Sequence, residues 1–201
     1  MRMTFKEFLA LVKSDIDLKK HWFLKNDTPF NKNVRVWLEP GTIAVVVYRF
    51  GHWTNHVKVP ILKQLLRLIY ILGKSVVVLG FGIYIPSRFK MGKGLAIHNF
   101  SGIFIPPTTA GDNLFVFQNV TIGHLRGQGG RPPKIGNNVF LGAGAKILGD
   151  ITIGNNVVVG ANSLVMNDVP DGCTVVGVPA RVVSKETTWI QEKLDGVGDH
   201  W

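Results

Sequence analysis

The side chains able to move a proton or attack an electrophile near neutral pH are few in this chain: six histidines and one cysteine among 201 residues. Imidazole has an ordinary pKa close enough to 7 to act as a general base. His21, His52 and His56 lie in the first third of the chain and His200 beside its end, whereas His98 and His124 fall within a repetitive tract. Cys173, in Pro170-Asp171-Gly172-Cys173-Thr174-Val175, occupies a turn entering a strand with no neighbouring base, and reads as a structural thiol. A single cysteine excludes an intramolecular disulfide and a cysteine-based zinc cluster, and no metal site is expected. Residues 124–134 are rich in Gly, Arg and Pro, and Arg131 stands in the turn Gly130-Arg131-Pro132-Pro133, a guanidinium suited to a carboxylate or a phosphate.

These groups are positioned by a repeat. Ile135-Gly136-Asn137, Leu141-Gly142-Ala143, Ile147-Leu148-Gly149, Ile153-Gly154-Asn155, Val159-Gly160-Ala161 and Val165-Met166-Asn167 recur every six residues. That period fits neither an amphipathic helix nor an alternating strand. Six residues make a short strand and a corner, and three hexads close a triangular coil of about 18 residues, the hexapeptide class of β-helix. The phase runs back through Ala110, Val116 and Ile122 and through Met91, Ile97 and Ile103. The step from Ile103 to Ala110 is seven residues instead of six, as for a bulged corner, and the step from Ile122 to Ile135 inserts the loop that begins at His124. A loop of this kind leaves the prism wall and projects from one face, where repeat proteins often build binding sites.

Residues 1–82 lack the hexad. Thr4 to Lys20 reads as a helix with Phe5, Phe8, Leu9 and Val12 on one side and a Thr4/Glu7 capping box. Residues 26–33 form a turn-rich linker, and residues 41–53 and 60–72 are further helices, although the β-branched run 43–48 also suits a strand. Ile61, Leu65, Leu68, Ile69 and Leu72 share one helix face. Packing of that face on the prism or another subunit is expected, with peripheral attachment to a membrane surface as the alternative. Residues 184–194 suit a short helix and the last residues a frayed end. The division is thus a helical region 1–82, a β-helix domain 83–183 and a tail 184–201. A formal charge of +10 points to an anionic partner; the cations are scattered, which argues against nucleic acid. The N-terminal residues lack the apolar core of a signal peptide, and a cytoplasmic location is expected.

Pro133-Lys134-Ile135, the run Val139 to Gly149 (VFLGAGAKILG) and the run Val176 to Val183 (VVGVPARVV) resemble the left-handed parallel β-helix acyltransferases, the serine acetyltransferases most of all. The stretch from Pro40-Gly41 to Trp53, ending YRFGHW, resembles the end of the helical N-terminal region of those enzymes, so the likeness covers about residues 38–183. It implies an acetyl-CoA-dependent O-acetyltransferase acting on L-serine or a related small acceptor, assembled as a homotrimer or hexamer. It further implies that acetyl-CoA lies in a groove between two prisms, with Ala143 and Ala161 stacked at equivalent corners as backbone contacts. Gly123 or His124 would lie at the corner beneath, and Pro179 and Arg181 near the nucleotide.

In such a reaction a base must take the proton of the acceptor hydroxyl as its oxygen attacks the thioester. The likeness puts the family's catalytic histidine at Asn99 and its substrate-binding aspartate at His98, one residue earlier. The aspartate that orients the histidine falls at Tyr84, and the serine-binding Arg-His pair becomes Arg131-Pro132. His98 is therefore expected to be the base, with His124 as the alternative, and Asn99 and Arg131 to bind substrate. These departures favour two further readings: O-acetylation of a sugar or surface polysaccharide, and a non-catalytic scaffold.

Overall fold

The computed structural model describes residues 3–24, 26–99, 101–124 and 130–187. Four helices precede fifteen short strands wound into three sheets, one per wall of a prism. Helix α1 (Phe5–Phe23) starts at Thr4, whose hydroxyl accepts the Glu7 amide while the Glu7 carboxylate accepts the Thr4 amide, the capping box expected from sequence. A π-helical turn (Asn31–Arg35) and the short α2 (Val36–Leu38) give the linker more helical structure than its turn residues suggest.

Helix α3 (Pro40–Thr54) includes the β-branched run that also suited a strand. Its Ala44, Val45 and Tyr48 bury into the prism core, a helical spacing, and tertiary burial outweighs the local β preference. Helix α4 (Pro60–Phe81) begins on a proline and ends where Gly82 turns left-handed at φ 63°, nine residues past the expected end. Within the chain, the face of α4 that packs on α3 and the prism is not the Ile61–Leu72 face. Gly73 lies against Val47, Val77 and Phe81 join the prism core, and Tyr70 donates no space to spare: a Cβ on Gly51 of α3 would lie 2.2 Å from its ring. Ile61, Leu65, Leu68 and Leu72 point the other way and are exposed. Gly51→Ala should cost about 1–3 kcal/mol, the usual cost of overpacking, read as a lowered urea midpoint.

The first wall stacks β1 (Ile83–Tyr84), β4 (Ile103–Phe104), β7 (Thr121–Gly123), β10 (Lys146–Leu148) and β13 (Leu164–Val165). The second stacks β2 (Lys90–Met91), β5 (Thr109–Ala110), β8 (Lys134–Ile135) and β11 (Thr152–Ile153). The third stacks β3 (Leu95–Ile97), β6 (Leu114–Val116), β9 (Val139–Leu141) and β12 (Val158–Val159), then β14 (Thr174–Gly177) and β15 (Ala180–Ser184). All pairs are parallel except β14 with β15, a hairpin that ends the third wall. Lys146 pairs with Leu164, the 18-residue coil, whereas Ile122 pairs with Ile147, a 25-residue coil lengthened by the loop after β7.

Inside, Ile97, Val116, Leu141, Val159 and Val175 stack up one wall and Ile83, Ile103, Ile122, Ile147 and Val165 up another, all nearly or fully buried. Corners are turned by Asn113, Asn138 and Asn156 at positive φ, a conformation asparagine tolerates. Their side-chain amides form a ladder of 2.9 and 2.8 Å bonds from coil to coil. The chain folds as a left-handed parallel β-helix with a helical N-terminal region.

A buried ion pair adds to the apolar packing of the helices on the prism. Arg49 of α3 donates from Nε and Nη2 to the Asp15 carboxylate of α1 at 2.7 and 2.9 Å, and to the carbonyls of Met91 and Gly92. Asp15 also accepts the Leu95 amide at 2.7 Å, so it joins α1, α3 and β3 at one point.

Candidate functional site

Where α1 ends, the chain turns through residues 26–41 and crosses the corner that follows β3, enclosing a cleft of about 400 Å³. His98 and Asn99 form its prism side, and Asp27, Asn31, Arg35 and Glu39 its helical side. The His98 amide donates to the Val116 carbonyl at 2.9 Å, which fixes the backbone in the coil and sends the side chain outward. Phe23, in the last turn of α1, stacks on the imidazole at 4.1 Å with a 9° interplanar angle, and Phe117 meets it edge-on at 5.2 Å. Nδ1 is buried and has no hydrogen-bond partner among the described residues.

Burial between these rings holds the His98 pKa below the ordinary histidine value; the Lys19 charge acts the same way and Glu39 opposes it. Both burial and the Lys19 charge thus favour the neutral form of the ring. Lys19 is itself buried, ion-paired with Glu39 at 2.6 Å and hydrogen-bonded to Thr42 at 2.9 Å, an arrangement that pins the start of α3 beside the cleft. Asn99 takes the left-handed conformation at φ 65° and donates to Gln118 at 3.0 Å. A neutral imidazole facing a polar cleft is equipped to accept a proton from a bound hydroxyl.

Other residues singled out in the sequence fall into separate places. His124 follows β7 and is exposed, outside the lining of the His98 cleft; Arg131 is exposed in the projecting loop, of which residues 125–129 lie outside the described set. Gly123 is buried in β7 opposite Leu148. Ala143 and Ala161 do stack: the amide of Asn162 donates to the Ala143 carbonyl at 2.8 Å, and Ala161 is exposed at the same corner one coil on. Pro179 and Arg181 are exposed at the β14–β15 hairpin, where the Val178–Pro179 bond is cis. Tyr84 stacks on Phe104 at 5.0 Å beneath the Lys74 ammonium. Among the described residues, no cluster of three or more His, Cys, Asp or Glu is disposed to hold a metal ion. The expected helix at 184–194 lies largely outside the described residues.

Sequence reasoning did not find Phe23, Phe117, Asp27, Asn31, Arg35 or Glu39. Phe23 and Phe117 read as ordinary apolar positions, and the segment 26–39 has no period to mark which side faces the prism.

Residues 132–167 match the family model described as bacterial transferase hexapeptide (six repeats). The serine acetyltransferase of Synechococcus elongatus is 41% identical over 146 residues, 72% of this chain and 57% of the relative. That of Escherichia coli strain K12 is 37% identical over 147 residues, 72% of this chain and 51% of the relative. The chain thus spans little more than half the length of these relatives. Among solved structures, the serine acetyltransferase of Neisseria gonorrhoeae superimposes with a TM-score of 0.74 at 30% identity, covering 90% of this chain and 70% of that one. That of Brucella abortus strain S19 in complex with coenzyme A gives 0.76 at 28% identity, with the same coverages of 90% and 70%. With these identities, and a superposition that covers 90% of the chain, the chain belongs to the serine acetyltransferase family of hexapeptide-repeat transferases.

Proposed function

We propose that this chain transfers an acetyl group from acetyl-CoA to the hydroxyl of L-serine or a related small acceptor. The observation that carries the reading is His98: an imidazole whose neutral form is favoured by burial, held by Phe23 and Phe117 at the wall of a polar cleft, in a chain of this family. The acceptor hydroxyl gives its proton to His98 as its oxygen attacks the thioester carbonyl. The tetrahedral oxyanion collapses, the carbon–sulfur bond breaks, and the CoA thiolate takes the proton back from the imidazolium. No acyl-enzyme forms. Asn99 and Arg131 contact the acceptor. The stacked corners at Ala143 and Ala161 lie along the pantetheine arm, with Gly123 beneath and Pro179 and Arg181 toward the nucleotide. A neighbouring subunit completes the groove in a homotrimer, or in a hexamer of two trimers. The helical region is taken as residues 1–82, the acyltransferase domain as 83–183 and the tail as 184–201, in a cytoplasmic protein.

The support from relatives is specific: solved serine acetyltransferases include complexes with CoA, with serine and with cysteine. A second reading, a sugar or polysaccharide hydroxyl as acceptor, is favoured by Asn99, Tyr84 and Pro132 at positions where the family keeps groups for serine chemistry. Thiol release from acetyl-CoA in the presence of L-serine and a panel of sugars separates them. Turnover with serine alone supports the first reading and turnover with a sugar alone the second. Acetyl-CoA left unconsumed with every acceptor leaves a non-catalytic scaffold.

Ala161→Trp fills the proposed groove from an exposed corner and leaves the buried column untouched. Its acetyl-CoA Kd by calorimetry should rise by about tenfold or more, a loss of at least ~1.4 kcal/mol. A Kd equal to the parent's would place the pantetheine arm elsewhere.

A further inference from the structure

Helix α4 has two apolar faces and the fold covers one. Tyr70, Gly73, Val77 and Phe81 face α3 and the prism. On the opposite side Ile61, Leu65, Leu68, Leu72 and Leu79, spaced at i, i+4, i+7, i+11 and i+18, form one stripe along the whole helix. Ile61 is 82% exposed, Leu79 87% and Leu72 61%. Counting the flanking Leu62, Ile69, Ile71 and Val76, nine large aliphatic side chains of this 22-residue helix are open. An unbroken stripe of that length exceeds what soluble monomers ordinarily leave in water.

Charge decides what covers it. Between Glu39 and Asp112 the chain has no carboxylate and eight basic residues, of which Arg49 is paired with Asp15. Of the others, Lys63, Arg67 and Lys74 stand on α4 itself and Lys58 just before it. A second copy meeting this face about a two-fold axis would set the stripe against itself and its cations near their own images, with no acid on either α4 to answer them. An anionic lipid surface supplies both missing partners, an apolar layer for the stripe and negative headgroups for the cations.

We propose that α4 is a membrane-surface anchor, with the Ile61–Leu79 stripe lying in the interface of an anionic bilayer. The helix is long and apolar enough to cross a bilayer, but its attachments oppose that. The Tyr70 hydroxyl accepts the Ser87 amide, Lys63 donates to the Asn55 carbonyl, and Gly82 leads directly into the first coil. To span, α4 would have to tear its covered face from α3 and the prism. Lying flat, it keeps those contacts and buries only the open face.

The test uses the full chain sedimented with vesicles of phosphatidylcholine alone or mixed with phosphatidylglycerol. The protein should pellet with the mixed vesicles and more weakly with the neutral ones. Leu68→Glu/Leu72→Glu should lower binding to mixed vesicles by about tenfold or more, because each change sets a carboxylate in the apolar layer. Both positions are exposed, and an unchanged circular dichroism spectrum verifies folding; if that pair misfolds, Leu65→Gln/Leu72→Gln gives the same reading. Wild-type protein remaining in the supernatant, or a folded variant that pellets like the parent, overturns the proposal. So does a wild type that ignores vesicles and loses mass in light scattering on Leu68→Glu/Leu72→Glu, which would make the stripe a contact between copies.

Discussion

His98→Ala lowers turnover by about 10²- to 10⁴-fold, the range spanned by general-base catalysis, while acetyl-CoA affinity stays near the parent value. The split follows from where the ring sits. It faces the polar cleft beside the first coils, whereas the proposed cofactor contacts are corners of later coils. The pH profile distinguishes a base from a structural ring. Burial, and the Lys19 charge behind it, hold the His98 pKa below the ordinary histidine value, which favours the neutral, proton-accepting form. The acid limb of kcat/KM in the parent should accordingly fall below pH 6.5, the unperturbed histidine value, and should be absent in the residual activity of His98→Ala. His124→Ala should be near-neutral. A loss confined to His124→Ala would move the base to the loop, and full activity in both variants would remove histidine from the chemistry. Asn99→His restores the pattern of the family, and serine acetylation appearing only in that variant would mark the natural chain as a scaffold.

Asp15→Ala should cost about 3–5 kcal/mol of stability, read from urea unfolding. Side-chain exposure of 0% for Arg49 and 1% for Asp15 puts the pair in the class of buried ion pairs, not among surface bridges worth at most about 1 kcal/mol. Burial pushes the Asp15 carboxyl up, and the Arg49 charge, its two hydrogen bonds and the Leu95 amide oppose that shift. Removing the carboxylate leaves a buried guanidinium with only two carbonyl partners and an orphaned Leu95 amide. Asp15→Leu/Arg49→Met should be less destabilised than Asp15→Ala, because the stranded charge is gone. A single-variant loss below about 1 kcal/mol would deny the pair its structural weight. The same helix ends in Phe23, so loosening its hold on β3 should also release the ring that covers His98 and raise the acceptor KM.

The β-helix was legible in the amino-acid sequence because each wall demands the same residue at the same place. The hexad Ile147, Ile153, Val159, Val165 returns an aliphatic side chain to the column every six residues, and the pairing of Lys146 with Leu164 repeats that spacing in space. The family was legible for the same reason, as its motifs lie on those walls. The helices were legible as elements, α1 from its Thr4 cap and α4 from the shared face of Ile61, Leu65, Leu68 and Leu72, while the β-branched run 43–48 left α3 open to a strand reading. What each helix faces was not. The α4 pattern contained two apolar faces, and nothing local distinguishes the one bearing Leu68 from the one bearing Val77; the Tyr70–Gly51 contact and the prism core select between them.

The surroundings of His98 were likewise decided only by the fold. Its ring packs between Phe23, 75 residues earlier, and Phe117, 19 residues later, and its depressed pKa arises from their burial of it and from Lys19. A sequence specifies directly those features that depend on a residue and its near neighbours in the chain: period, cap, turn. Burial and electrostatic field depend on groups brought together across long separations, and they exist only once the helices have docked on the prism.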